Sequence, residues 1–77
     1  MNNTRRSRID EIIRKIEDLA YDIDLLREEE DTAYNNLPES IQFSDRGETM
    51  SDAVSNLEDA ITSLEDATDY LNEAKGE

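Results

Sequence analysis

The chain has no cysteine and no histidine. The first absence removes disulfides and leaves the redox compartment unmarked, and the two together remove the commonest ligands of structural zinc. Nucleophilic catalysis by a cysteine, or by a serine beside an imidazole base, goes with them. Basic residues are scarce: 8 Lys and Arg stand against 21 Asp and Glu, a formal net charge of −13. Nucleic acid and anionic membranes are gripped by clustered Lys and Arg, so neither is an expected ligand, and the basic surface of another protein is. No apolar run is long enough for a signal peptide or a membrane span. With the polar, basic stretch that follows Met1, this predicts a cytoplasmic protein.

A chain of 77 residues makes one small domain. Chains below about 80 residues rarely bury enough apolar surface to offset the entropy of ordering, so they usually carry a staple. With disulfides and zinc excluded, oligomerisation is the staple that remains. High charge with modest hydrophobicity also fits disorder, and patterning of the apolar residues decides between the two.

They are patterned in heptads. Ile9, Ile16 and Ile23 occupy position a, Ile12, Leu19 and Leu26 position d, and the register continues through Glu30, Ala33 and Leu37. A third column at e, Ile13, Ala20 and Tyr34, widens the stripe beyond a bare coiled-coil seam. Glu30 is the polar residue at a, expected as a register marker or as a partner for Arg46 or for an N-terminal arginine across a dimer. The second half is an internal repeat. Glu48–Val54, Ser55–Ile61, Thr62–Thr68 and Asp69–Lys75 stand head to tail, each with Met or Leu third, an acid fifth and Ala sixth. That repeat predicts a helix bearing Met50, Val54, Leu57, Ile61, Leu64 and Leu71 on its apolar face.

Between the two periodic segments, Pro38 cannot continue a helix and pushes the preceding residue toward extended geometry, although it can open a short helical turn. Ser44 or Asp45 is the expected N-cap of the second helix, and Asp45 with Glu48 has the spacing of a capping box. Leu37, Ile41 and Phe43 are expected to fold over the end of the hairpin as an apolar plug. The reading is an all-α, antiparallel two-helix hairpin. Helix one spans about 6–35, the connection 36–44 and helix two about 45–75, each arm being roughly 40 Å long at 1.5 Å per residue.

Three apolar positions per heptad is the mark of a bundle helix. A lone hairpin leaves one side of these columns wet, so two hairpins are expected to pair as a homodimeric four-helix bundle. Residues 1–16 carry five basic residues against two acidic ones, a net of +3, and the remainder three against nineteen, a net of −16. In an antiparallel hairpin this basic start lies beside the acidic, dipole-negative end of helix two, near Asp66, Asp69 and Glu73.

Serines and threonines sit in repeat or cap positions with no base arranged beside them, and a hairpin this thin has no pocket to shift a carboxylate's pKa for acid–base work. No catalytic residue, metal ligand or cofactor is therefore assigned. Glu28-Glu29-Glu30-Asp31 reads as a solvated acidic face, because calcium and magnesium sites need oxygens converging from a loop. The acids are ordered instead. Asp52, Asp59, Asp66 and Glu73 share position c, Glu58 and Glu65 lie beside them at b, and Asp10, Glu17, Asp24 and Asp31 form a b column on helix one. Columns at heptad spacing place a charge every ~10 Å, loosely like phosphates along a nucleic-acid strand.

The connection Asn35-Asn36-Leu37-Pro38-Glu39-Ser40-Ile41-Gln42, followed by Ser44-Asp45-Arg46-Gly47-Glu48 and the Leu-Glu-Asp-Ala-Ile heptads, resembles that of small acidic helical-hairpin proteins from phages, prophages and mobile elements of Gram-positive bacteria. The resemblance spans most of the chain, and its specificity lies in the connection. It brings no catalytic residues; what it implies is a setting, inhibition of a host defence or nucleic-acid-handling protein. The expectation is a non-enzymatic interaction module whose acidic faces bind a basic protein surface. The alternative is a structural adaptor or assembly factor that joins partner helices through the apolar stripe.

Overall fold

A computed structural model describes residues 1–76 as α1 (Asn3–Asn35), α2 (Glu39–Gln42) and α3 (Asp45–Ala74), with no strand among them. Helix α1 begins earlier than its apolar periodicity announces. Asn2 is extended and its side-chain oxygen accepts the Arg5 backbone N–H at 2.8 Å, which satisfies one of the free donors of the first turn. At the other end, the Asn36 and Leu37 N–H groups donate to the carbonyls of Thr32 and Tyr34 at 3.0 and 3.1 Å, and Pro38 blocks further winding.

Pro38 opens the single turn α2: its carbonyl accepts from the N–H groups of Ile41 and Gln42 at 2.8 and 3.0 Å. The Gln42 amide then reaches back, donating to the carbonyls of Tyr34 and Leu37 at 3.2 Å each, so a side chain of the connection fastens α2 to the end of α1. Ser44 caps α3. Its backbone is extended, and its hydroxyl donates to the Ile41 carbonyl and accepts from the Gly47 N–H. Asp45 is thus the first residue of the helix, and the capping box expected between Asp45 and Glu48 does not form.

The arms are antiparallel, and both ends are tied. At the open end the Lys75 ammonium lies 2.6 Å from Asp10, and Arg6 donates to the Lys75 carbonyl at 3.1 Å. The cation of the basic start therefore sits on the carboxyl end of α3, where the helix dipole favours it. It does so through the backbone; no ion pair forms with Asp66, Asp69 or Glu73 among the described residues.

The molecule is a rod of 58 × 15 × 14 Å. Its radius of gyration is 17.4 Å, against roughly 11 Å for a compact chain of this length, so most residues lie close to water. Among the described residues the buried hydrophobic side chains are Ile9, Ile13 and Val54, each about 9% exposed. None of the described helices is long and apolar enough to cross a membrane.

Of the a, d and e columns that make up the apolar stripe, the seam between the arms uses a and e. On α1 the buried and half-buried line runs Ile9, Ile13, Ile16, Ala20, Ile23, Arg27, Glu30, Tyr34, Leu37. On α3 it runs Gly47, Met50, Val54, Leu57, Ile61, Leu64, Thr68, Leu71, Lys75, with the d alanines Ala53, Ala60 and Ala67 half-buried beside it. The d column of α1 is left out: Ile12, Leu19 and Leu26 are 45%, 56% and 55% exposed. This seam is accompanied by a cross-arm tie, Asp10 at b with Lys75 at e, while Arg27 at e pairs within its own helix with Asp24 and Glu28.

Candidate functional site

With a and e consumed, the hairpin has two sides, and residues 100° apart around each helix are assigned to them by position. On one side lie the b columns of both arms. A shallow groove there is lined by Ile16, Glu17 and Ala20 of α1 and by Leu64, Glu65 and Thr68 of α3. The Asp10–Lys75 tie and the Arg27–Asp24 ion pair, at 2.9 Å, fall on the same side. The opposite side carries the d columns: Ile12, Leu19, Leu26 and Ala33 from α1, with Ala53, Ala60, Ala67 and Ala74 from α3. One face is thus acidic and the other apolar.

The ten acids singled out in the sequence are not equivalent. On α1, Asp10 is held by Lys75 and Asp24 by Arg27, so half of that column is neutralised, leaving Glu17 and Asp31. The hydrogen bond that Arg27 donates to Asp24, aided by the charges of Asp24, Glu28 and Glu58 and opposed by burial, raises the Arg27 pKa above its ordinary value. Its charge is therefore permanent across the physiological range and confers no pH dependence there. On α3, Asp52, Asp59, Asp66 and Glu73 line the outer edge, pointing away from α1, and Glu58 and Glu65 stand next to them on the acidic side. All six are exposed, and none forms an ion pair among the described residues.

Between Asp45 and Ala74 there are nine acids and one cation, Arg46. Over roughly 45 Å of helix that is about one net charge per 5–6 Å, against about 3.4 Å per phosphate along one strand of duplex DNA. The edge approaches the linear charge of a nucleic-acid strand, which α1 with its interspersed arginines does not.

Two aromatic rings bracket this edge. Phe43 is 78% exposed and flanks a groove with Glu48 and Asp52; Tyr70 is 72% exposed among Asp66, Asp69 and Glu73. Phe43 does not join Leu37 and Ile41 in the expected plug. Those two are half-buried, but the turn of α2 ends with Ile41 and Gln42 facing inward, and the next residue must face out before Ser44 restarts the chain as a cap. Tyr70 carried no signal in the sequence beyond its heptad place. Glu30 lies half-buried in the seam and forms no ion pair with Arg46.

No group of three or more Asp or Glu among the described residues converges to hold a metal ion. Glu28 to Asp31 fan around α1, with Glu28 in contact with Arg27 at 3.8 Å. Comparison with protein-family models, with curated proteins and with solved structures finds no match to this chain.

Proposed function

We propose that this protein is a non-enzymatic acidic interaction module that binds an arginine-rich surface on another protein, with the outer edge of α3 standing in for a phosphate backbone. One observation carries the reading: Asp52, Asp59, Asp66 and Glu73 form a continuous exposed column with no internal cation beside it, whereas the acids of α1 are partly paired within the hairpin. Ordered carboxylates of one sign steer a basic partner quickly and repel acidic competitors. The flanking rings of Phe43 and Tyr70 offer a guanidinium both an aromatic face and nearby carboxylates. Proteins that grip nucleic acid, including those of host defence, carry such arginine surfaces, and the phage setting implied by the connection fits an inhibitor acting in the cytoplasm of a bacterial host. The scaffold of this reading is a homodimer, two hairpins meeting through their apolar sides as a four-helix bundle and displaying their acids outward.

The test is capture from host lysate on the immobilised protein at low and at high salt, with the bound proteins identified. A basic nucleic-acid-handling protein retained at low salt and released at high salt supports the reading; retention that ignores salt overturns the electrostatic mechanism.

A second reading has its own observation. Ile12, Leu19 and Leu26 are uncovered, so a partner's helices, not a second copy, would complete the bundle, and the protein would be an adaptor or assembly factor. Circular dichroism with sedimentation separates the two. A helical dimer in isolation favours the first, and a poorly helical monomer that folds on adding a partner favours the second.

A further inference from the structure

The apolar side of the hairpin is bordered by two different columns. Beside the alanines of α3 run Thr49, Asn56, Ser63 and Tyr70, all uncharged. Beside Ile12, Leu19 and Leu26 of α1 run Arg8, Lys15, Asp22 and Glu29, two cations followed by two anions. All four are exposed. Arg8 sits next to Ile9 and Ile12 at the open end, and Glu29 next to Leu25 and Thr32 toward the turn. Within the hairpin Lys15 has one long contact, 3.9 Å to Glu11, and Arg8, Asp22 and Glu29 form no ion pair among the described residues.

A column that reads plus, plus, minus, minus complements itself when reversed. We propose that the apolar side is an isologous interface with a second copy of this chain, in which α1 packs antiparallel on α1, α3 on α3, and the two connections lie at opposite ends. The proposal rests on the pairing of two copies put forward above and specifies its geometry. Two-fold symmetry requires that if one residue meets another, the second meets the first. An axis through Leu19, the midpoint of α1, sets Leu19 on its own copy and Ile12 on Leu26. It brings Lys15 beside Asp22 and Arg8 beside Glu29, each contact occurring twice. Charges flanking an apolar seam set orientation in this way.

The same axis suits α3. Counting inward along both arms from the Asp10–Lys75 tie brings Leu19 level with Ala67 to within a residue. The axis therefore passes Ala67 against Ala67 and sets Ala60 against Ala74. Alanine on alanine lets helices approach at the short end of the usual 8–10 Å separation, while leucine on leucine holds the α1 pair apart. The competing two-fold axis, parallel to the helices, would place α1 over α3 with both connections at one end. It would leave the four charges of α1 facing Thr49, Asn56, Ser63 and Tyr70, so the charge pattern would have no counterpart.

Because the chain has no cysteine, introduced thiols report the geometry cleanly. The full-length variant Leu19→Cys, oxidised at micromolar concentration, should form a disulfide-linked dimer, and Tyr21→Cys, on the outer edge of α1, should not. In sedimentation equilibrium Arg8→Glu with Lys15→Glu should weaken dimerisation roughly tenfold or more through four like-charge contacts, and adding Asp22→Lys with Glu29→Lys should restore it. Circular dichroism confirms that each variant is helical. A dimer in which Leu19→Cys fails to cross-link with itself but a mixture of Leu19→Cys and Ala67→Cys does, or in which the fourfold charge swap gives no rescue, overturns the antiparallel geometry and leaves pairing intact. A helical monomer at every concentration tested removes both.

Discussion

The α-carbon of Gly47 packs against the backbone carbonyl of Gln42, so closely that a methyl group on it would lie 2.1 Å from the oxygen. No side chain can be accommodated there unless α2 moves, because the atom in the way is backbone. Alanine would ordinarily favour a helix over glycine by about 1 kcal/mol, but here the contact reverses the sign. Gly47→Ala is expected to destabilise the hairpin by about 1–3 kcal/mol, the usual cost of overpacking, and to loosen the Gln42 amide from the carbonyls of Tyr34 and Leu37. Thermal unfolding by circular dichroism measures it; an unchanged or raised midpoint would show that the connection slides at no cost.

The two apolar columns of α1 should respond differently to the same change. Ile13 is buried in the seam between the arms, while Leu19 stands on the open side. Ile13→Ala is expected to cost about 2–4 kcal/mol at any protein concentration, a large part of the stability of so small a chain. On the proposed pairing the partner of Leu19 is a second copy of the chain, so Leu19→Ala should cost little at nanomolar concentration and more as the protein is concentrated. Denaturation series at two widely separated concentrations distinguish them, and equal losses at both would place Leu19 in the seam after all.

Helix identity and the antiparallel course were legible in the heptads and in Pro38, because periodicity and the missing proline donor act locally. The choice of seam was not. Columns a, d and e are all apolar, so hydrophobicity cannot say which two face the other arm. The one ion pair that crosses the arms among the described residues, Asp10 with Lys75, joins residues 65 positions apart, and its register follows only once the connection is folded. The cap of α1 was missed because Asn2 lies beyond the apolar stripe and is marked only by its side-chain oxygen. The acidic columns were visible by spacing, yet the sequence alone could not rank them, since the neutralising cations come from elsewhere in the fold.

Salt should act in opposite directions on the protein and on its complex. A net charge of −13 on a thin rod repels itself, and the screening length falls from about 10 Å at 0.1 M salt to about 3 Å at 1 M. Raising salt is therefore expected to raise the unfolding temperature and tighten self-association, even though the border contacts of Arg8 and Lys15 weaken. Capture of a basic partner should decline over the same range. Differential scanning fluorimetry beside a binding titration would show both trends, and a protein destabilised by moderate salt would mean that ion pairs outweigh repulsion in holding it together.

Charge removal separates the two acidic columns. Asp52→Asn, Asp59→Asn, Asp66→Asn and Glu73→Gln together take four unpaired charges from the outer edge of α3 and touch no contact within the hairpin. Unfolding should shift slightly upward as self-repulsion falls, while affinity for the salt-released partner should drop roughly tenfold or more, chiefly through slower association and a shallower salt dependence. Asp10→Asn with Asp24→Asn is the counterpart. Those carboxylates are already engaged by Lys75 and Arg27, so the pair should leave affinity nearly unchanged and instead loosen the hairpin by about 1–2 kcal/mol, because both cations are largely covered and lose a charged hydrogen-bond partner. If the second pair reduced binding as much as the first four, the partner would be reading overall charge, and the ordered edge of α3 would have no special part in recognition.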